Sequence, residues 1–231
     1  MNGDSRAILA IPILAGAVPM LVALSCYWIS IRYGTAPGCL VFWDGCVSIS
    51  AAGRYPPAVF LFKGGMLPAA TVIALYWWLT GSWLLALGET VAAGRTVRIV
   101  GIIGAMFLML YTTYLGSDGD FYRLMRRYGV SVYFAFTALA QILVARSLLR
   151  CPARSVKTIA RAQLGLCAAL LLLGLAVAFV KPFLAEPDRL ENAVEWVFAA
   201  LMQTNFLLSY LAWRATQVTT ALFAHADGKV E

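Results

Sequence analysis

Carboxylates and guanidinium groups recur in three polar segments of this chain, and these are the side chains that could do chemistry together. Residues 32–57 hold Asp44, Ser48, Ser50, Arg54 and Tyr55. Residues 116–128 hold Asp118, Asp120, Tyr122, Arg123, Arg126 and Arg127. Residues 184–193 hold Glu186, Asp188 and Glu191. Arginine grips phosphate through paired N–H donors. Brought to one place, Asp44, Ser48, Ser50, Arg54, Tyr55, Asp118, Asp120, Arg123 and Arg127 could bind a phosphate-bearing head group; the plainer alternative is solvated loops whose charges pair with each other. Asp118 and Asp120 could also act as a general acid–base pair or as oxygen ligands for a hard cation, although a turn with two aspartates is a common solvated turn. The single histidine, His225, lies in the C-terminal tail. A helix-borne histidine metal site and an internal Ser–His or Cys–His nucleophile pair are thereby excluded. No catalytic residue, metal ligand or cofactor is assigned.

The cysteines are Cys26, Cys39, Cys46, Cys151 and Cys167, with no CxxC pair. Cys39 and Cys46 share a segment and could close a small disulfide on an oxidising side, or remain two free thiols. Cys151, beside Arg150, is a bystander thiol or an acylation site.

Composition decides what positions these residues. Of 231 residues, 61% are hydrophobic and 13% charged, and the mean hydropathy is +0.79. A soluble domain carries about 25% charged residues, so a soluble surface of this size cannot be covered. A membrane span needs about 20 mostly apolar residues. Apolar runs place six spans at approximately 7–31, 58–87, 97–115, 129–149, 162–183 and 194–213, within one membrane domain covering 1–231. The first run is longer than the apolar core of a signal peptide and reads as a retained helix. The fold class is all-α: a polytopic six-transmembrane-helix bundle.

The net charge of +7 does not indicate nucleic acid, because the basic residues are scattered over loops and span ends. They read instead as topology signals and contacts with anionic lipid. Arg146, Arg150, Arg154, Lys157 and Arg161 flank one short loop with no acid among them. By the positive-inside rule that loop is cytoplasmic, as are both termini. The three segments with candidate site residues then share the opposite face.

Within the spans, Gln141, Gln163, Gln203 and Asn205 are expected to join helices by hydrogen bonds, and Glu195 stands one turn into the sixth span. No charge lies at the centre of a span, which argues against a proton pump or ion-coupled carrier. Trp77, Trp78 and Trp83 read as an aromatic belt, and Phe42-Trp43 as an interfacial anchor. Gly53 reads as a turn residue with positive φ. The Asp120–Tyr128 stretch reads as a short amphipathic helix leading into the fourth span.

The run Ser48-Ile-Ser-Ala-Ala-Gly-Arg-Tyr-Pro-Pro57, followed by an apolar helix with an early cation at Lys63, resembles the loop of the Frag1/DRAM/Sfk1 family of six-span membrane proteins. Arg127-Tyr-Gly-Val-Ser-Val-Tyr-Phe134 is similar to the start of that family's corresponding span. The family often has histidines near this point, where this chain has Arg126, Arg127 and Tyr128. The resemblance implies a membrane-embedded protein of the plasma membrane or a Golgi- or lysosome-like endomembrane, linked to lipid handling. Its expected partners are membrane lipids, including an anionic phospholipid, and a membrane protein, but not nucleic acid. The expected function is a non-catalytic regulator of membrane lipid organisation. The alternative is a lipid-remodelling enzyme acting on head or acyl groups through Asp44, Asp118 or Asp120.

Overall fold

Six long helices form the protein, each traceable to an apolar run bounded by turn residues. The computed structural model describes residues 3–218, with side chains from residue 7; His225 and the Arg6 side chain lie outside the described residues. Helix α1 spans Gly3–Arg32, α2 is a single turn at Ile49–Ala52, and α3 spans Ala58–Ala86. They are followed by α4 (Val91–Tyr114), α5 (Asp120–Arg150), α6 (Arg154–Val180), a 3-10 turn at Lys181–Phe183, and α7 (Pro187–Ala215). No strand occurs among the described residues.

Local chemistry sets the boundaries. Thr90 caps α4 by accepting the Ala93 N–H at 3.2 Å, which satisfies one of the N–H groups a helix start leaves open. Proline opens α7 at a position with no N–H partner to lose. Gly88 follows α3 with φ +90°, a conformation costly for any residue with a Cβ. Pro12, Pro19 and Pro68 lie inside α1 and α3 without ending them, as neighbouring helices permit within a membrane.

At about 1.5 Å per residue, even the 24-residue α4 is longer than a hydrocarbon core of about 30 Å. Helices α1, α3, α4, α5 and α6 are long and apolar enough to cross a membrane, which is the pattern of a multi-pass integral membrane protein. Helix α7 is as long, at 29 residues, but carries Asp188, Arg189, Glu191 and Glu195 in its first turns. The six long helices pack as a closed ring in the order α1, α3, α4, α5, α6, α7 and back to α1.

Packing revises several expectations. Trp77 and Trp83 are fully buried, so the aromatic belt reduces to Trp78, 51% exposed. Tyr76, Trp77, Trp83, Phe206 and Trp213 instead form one cluster between α3 and α7, with the Tyr76 and Trp213 rings stacked 5.6 Å apart. Such pairs contribute about 1 kcal/mol each beyond the area they bury. A Cβ on Gly101 would stand 2.2 Å from the Trp77 ring, so the small residue is what lets α4 close on α3. The Asp120–Tyr128 stretch is not a separate helix, because α5 runs unbroken from Asp120 to Arg150.

Buried amides join the ring across its interior. Gln141 on α5 donates to the Met202 carbonyl at 3.0 Å, and Gln203 donates to the Tyr133 hydroxyl at 3.3 Å. Ser209 accepts from Tyr76 at 2.8 Å and from Gln163 at 3.0 Å. One hydroxyl on α7 thus ties down α3 and α6.

Candidate functional site: a cationic cleft at one end of the bundle

The segment between α1 and α3 is pinned before it contributes to any site. Cys39 and Cys46 form a disulfide, with Cα atoms 6.4 Å apart. The Tyr27 hydroxyl lies inside that small loop, accepting from the Cys39 N–H at 2.8 Å and donating to the Cys39 carbonyl at 3.0 Å. Asp44 accepts the Leu40 N–H at 2.9 Å. The loop docks on α7: Asn192 donates to the Gly45 carbonyl at 3.0 Å and the Trp196 indole to the Val47 carbonyl at 2.9 Å. Gly45 has φ +58°, and a Cβ there would stand 1.8 Å from the Arg189 carbonyl. Phe42 packs edge-on against Trp196 at 5.8 Å. Trp43 is 85% exposed, and Phe42 remains 42% exposed despite its contact with Trp196.

The turn α2 follows. Ser48 caps it, accepting the Ala51 N–H at 3.1 Å, and Ser50 lies 3.1 Å from Ser48 hydroxyl to hydroxyl. Gly53 has φ −94°, not the positive value expected. A Cβ there would meet the Phe62 ring at 2.4 Å, so this glycine makes room for an aromatic ring. The Ser30 hydroxyl donates to the Ala52 carbonyl at 2.7 Å. Pro57 then leads into α3. These contacts place Ser50 and Arg54 over the end of the bundle where α5 and α7 begin and α6 ends.

A cleft of about 680 Å³ opens there. Its polar lining comprises Ser50, Arg54, Tyr111, Arg123, Arg126, Arg127, Ser131, Glu191 and Glu195. Its apolar lining, Val130, Phe134, Gly174, Val177, Val194 and Phe198, comes from the facing flanks of α5, α6 and α7. Beyond it lies a small, almost wholly apolar pocket of about 40 Å³, walled by Met20, Phe62, Met66, Leu108 and Met202 among others. Tyr111, Val130, Phe134 and Glu195 line both spaces. The outer half of α6 exposes Leu171, Leu172, Leu175 and Phe179, so the cleft adjoins a surface suited to acyl chains.

The charges in the cleft are unequally committed. Arg123 pairs with Asp120, and Lys181 pairs with Glu191. Arg126 donates to the Ser117 carbonyl and, at 3.2 Å, to the Tyr114 carbonyl at the end of α4. Arg54, Arg127 and Glu195 form no ion pair among the described residues. The Arg54 Nε is buried without a hydrogen-bond partner. Glu195 faces the Ser50 backbone and the Arg54 guanidinium from outside ion-pair contact. Tyr111 is 4% exposed; its hydroxyl stands beside the Ser50 side chain, with Glu195, Arg54 and Arg126 as its charged neighbours.

Of the residues marked in the sequence, Ser50, Arg54, Arg123 and Arg127 meet in the cleft. Asp120 lines a separate groove of about 700 Å³ beside it, shared with Phe121, Arg123, Leu124 and Arg127. Asp44 and Ser48 hold the loop together. Tyr55 and Asp118 are exposed and outside the lining. Tyr111, Ser131 and Glu195 were not among the candidate side chains of the sequence, and Arg126 and Glu191 stood in the polar segments without being placed in the head-group set. Glu195 carried a usable signal, because an ionisable residue within a span is by default a candidate for function. Among the described residues no group of three or more His, Cys, Asp or Glu side chains could hold a metal ion. The guanidinium groups of the cleft can bind an anion beside an apolar flank. Comparisons with protein-family models, curated proteins and solved structures find no match for this chain.

Proposed function

We propose that this chain is a six-span membrane protein that binds a phospholipid in the cleft between α5, α6 and α7 and regulates membrane lipid organisation without catalysis. The observation that carries the reading is the pairing of uncommitted guanidinium groups with an apolar flank in a single cleft. Arg54 and Arg127 supply bidentate donors for a phosphate. Phe134, Val177 and Phe198 offer the start of an acyl path that continues along exposed α6. In this reading α7 is the sixth span, its charged first turns lie at the membrane boundary, and both termini are cytoplasmic, with the Arg146–Arg161 cluster on their side.

The resemblance to the Frag1/DRAM/Sfk1 family supports the same reading, since the run 48–57 that carries it supplies Ser50 and Arg54 to the cleft. A plasma-membrane or endomembrane location follows from that resemblance, and a membrane protein partner is compatible with it. The enzyme alternative depends on Asp44, Asp118 and Asp120, all of which stand outside the cleft, and no observation favours it.

Native mass spectrometry of the gently purified protein tests the proposal. A co-purifying phospholipid is expected on the wild type and is expected to be lost from the Arg54→Gln/Arg127→Gln double variant. Equal lipid on both, or none on either, would overturn it.

A further inference from the structure

We infer that the cleft binds an anionic lipid together with a proton, and that Glu195 is the group that takes the proton up. The inference rests on the phospholipid reading above and deepens it. Two carboxylates line the cleft, Glu191 and Glu195. Glu191 is held by Lys181, in the turn that ends α6. Glu195 makes no ion-pair contact among the described residues. It faces the Arg54 guanidinium and the Ser50 backbone. Loop docking fixes this arrangement. Asn192 and Trp196, on either side of Glu195 along α7, donate to the Gly45 and Val47 carbonyls at 3.0 and 2.9 Å. The segment that runs on to Ser50 and Arg54 is thereby set against α7 at the level of Glu195.

Glu195 stands on the boundary of two environments. On one side is the cleft with its guanidinium groups; on the other is the apolar pocket walled by Met20, Phe62, Met66 and Met202. Without a ligand, Arg54 and the Ser50 backbone balance the carboxylate. A lipid phosphate that approaches Arg54 brings a second anion to the same guanidinium. Two anions then share one cation in a partly dewatered cleft, where like charges repel more strongly than in bulk water. A proton on Glu195 removes one of the two charges, and a neutral carboxyl suits the apolar wall behind it. The other groups facing Glu195 do not provide this link. Tyr111, from α4, brings a hydroxyl beside the Ser50 side chain. Arg123, Arg126 and Arg127, from α5, bring fixed positive charge. They attract a phosphate at every pH and so cannot make its binding depend on pH. Binding that takes up a proton strengthens as pH falls, and by the same linkage the bound anion raises the proton occupancy of Glu195.

The test is retention of phosphatidylglycerol, whose phosphodiester stays ionised throughout, by the full-length protein in detergent. Native mass spectrometry reads it at about pH 8, where a glutamate is ionised, and at about pH 5. The expected result is about tenfold greater retention at the lower pH, equivalent to about 1.4 kcal/mol. Glu195→Gln is expected to hold, at both pH values, as much lipid as the wild type holds at the lower one. Glu191→Gln is expected to keep the wild-type dependence. Equal retention by the wild type at both pH values overturns the inference while phospholipid binding stands; this arm needs no variant. A pH dependence that survives Glu195→Gln, or that disappears in Glu191→Gln, also overturns it. If no phosphatidylglycerol is retained at either pH, the underlying lipid reading falls with it.

Discussion

Single polar atoms carry much of the organisation inside this bundle. Ser209 shows how much can rest on one hydroxyl: it accepts from Tyr76 on α3 and Gln163 on α6 while donating to the Asn205 carbonyl at 3.2 Å. Replacing Ser209 with Ala removes the acceptor of the buried Tyr76 hydroxyl and leaves Gln163 only the Asn205 carbonyl at 3.4 Å, at a cost of roughly 1–2 kcal/mol. A lower apparent melting temperature in detergent is the expected outcome, and an unchanged value would show that the triad is not stabilising. The sequence marked the buried amides as helix-joining groups, and they are. It could not show that Tyr76 meets Ser209, because the two lie 133 positions apart. It also misassigned Gly53, whose role is set by the ring of Phe62 and not by a backbone angle. For the candidate site, Ser50, Arg54, Arg123 and Arg127 were legible from residue type and shared sidedness. Tyr111 was not, since a tyrosine inside an apolar run looks like any other core aromatic.

At the level of elements, hydropathy located the helices and failed at their polar ends. The apolar runs at 58–87 and 7–31 correspond to α3 (Ala58–Ala86) and α1 (Gly3–Arg32). The helix over Asp120–Tyr128 was expected as a short amphipathic element ahead of the fourth span, and α5 runs through both without a break. Hydropathy also cannot tell a lipid-facing tryptophan from a packed one, which is why Trp77 and Trp83 were misplaced: both satisfy the same average, but only the three-dimensional ring buries them. Helix α7 is the element on which the six-span account turns. Its polar start docks on the loop that carries the disulfide, while its later turns pack against α1 and α6. Single cysteines placed at Asp188 and Arg214, in a chain with Cys26, Cys151 and Cys167 changed to serine, are expected to react with an impermeant thiol reagent from opposite membrane faces, Arg214 from the cytoplasmic one. Labelling of both from one face would remove α7 as a span.

At the scale of the whole molecule, a closed ring of helices carries one cleft at its charged end. The outer part of α6 exposes Leu171, Leu172, Leu175 and Phe179, and the cleft lies between α5, α6 and α7 at the charged end. The disulfide-pinned loop holds Arg54 over that cleft, and the start of α5 presents Arg127 to it. The most direct test uses a phospholipid with a photoreactive group near the top of one acyl chain, incorporated with the protein in bilayers. Crosslinks are expected to concentrate around Phe134, Val177 and Phe198, and to lose that concentration in the Arg54→Gln/Arg127→Gln variant. Crosslinks spread evenly over the exposed faces of the bundle, including Leu21, Leu24 and Trp28 on α1, and unchanged by the double substitution, would contradict lipid binding in the cleft.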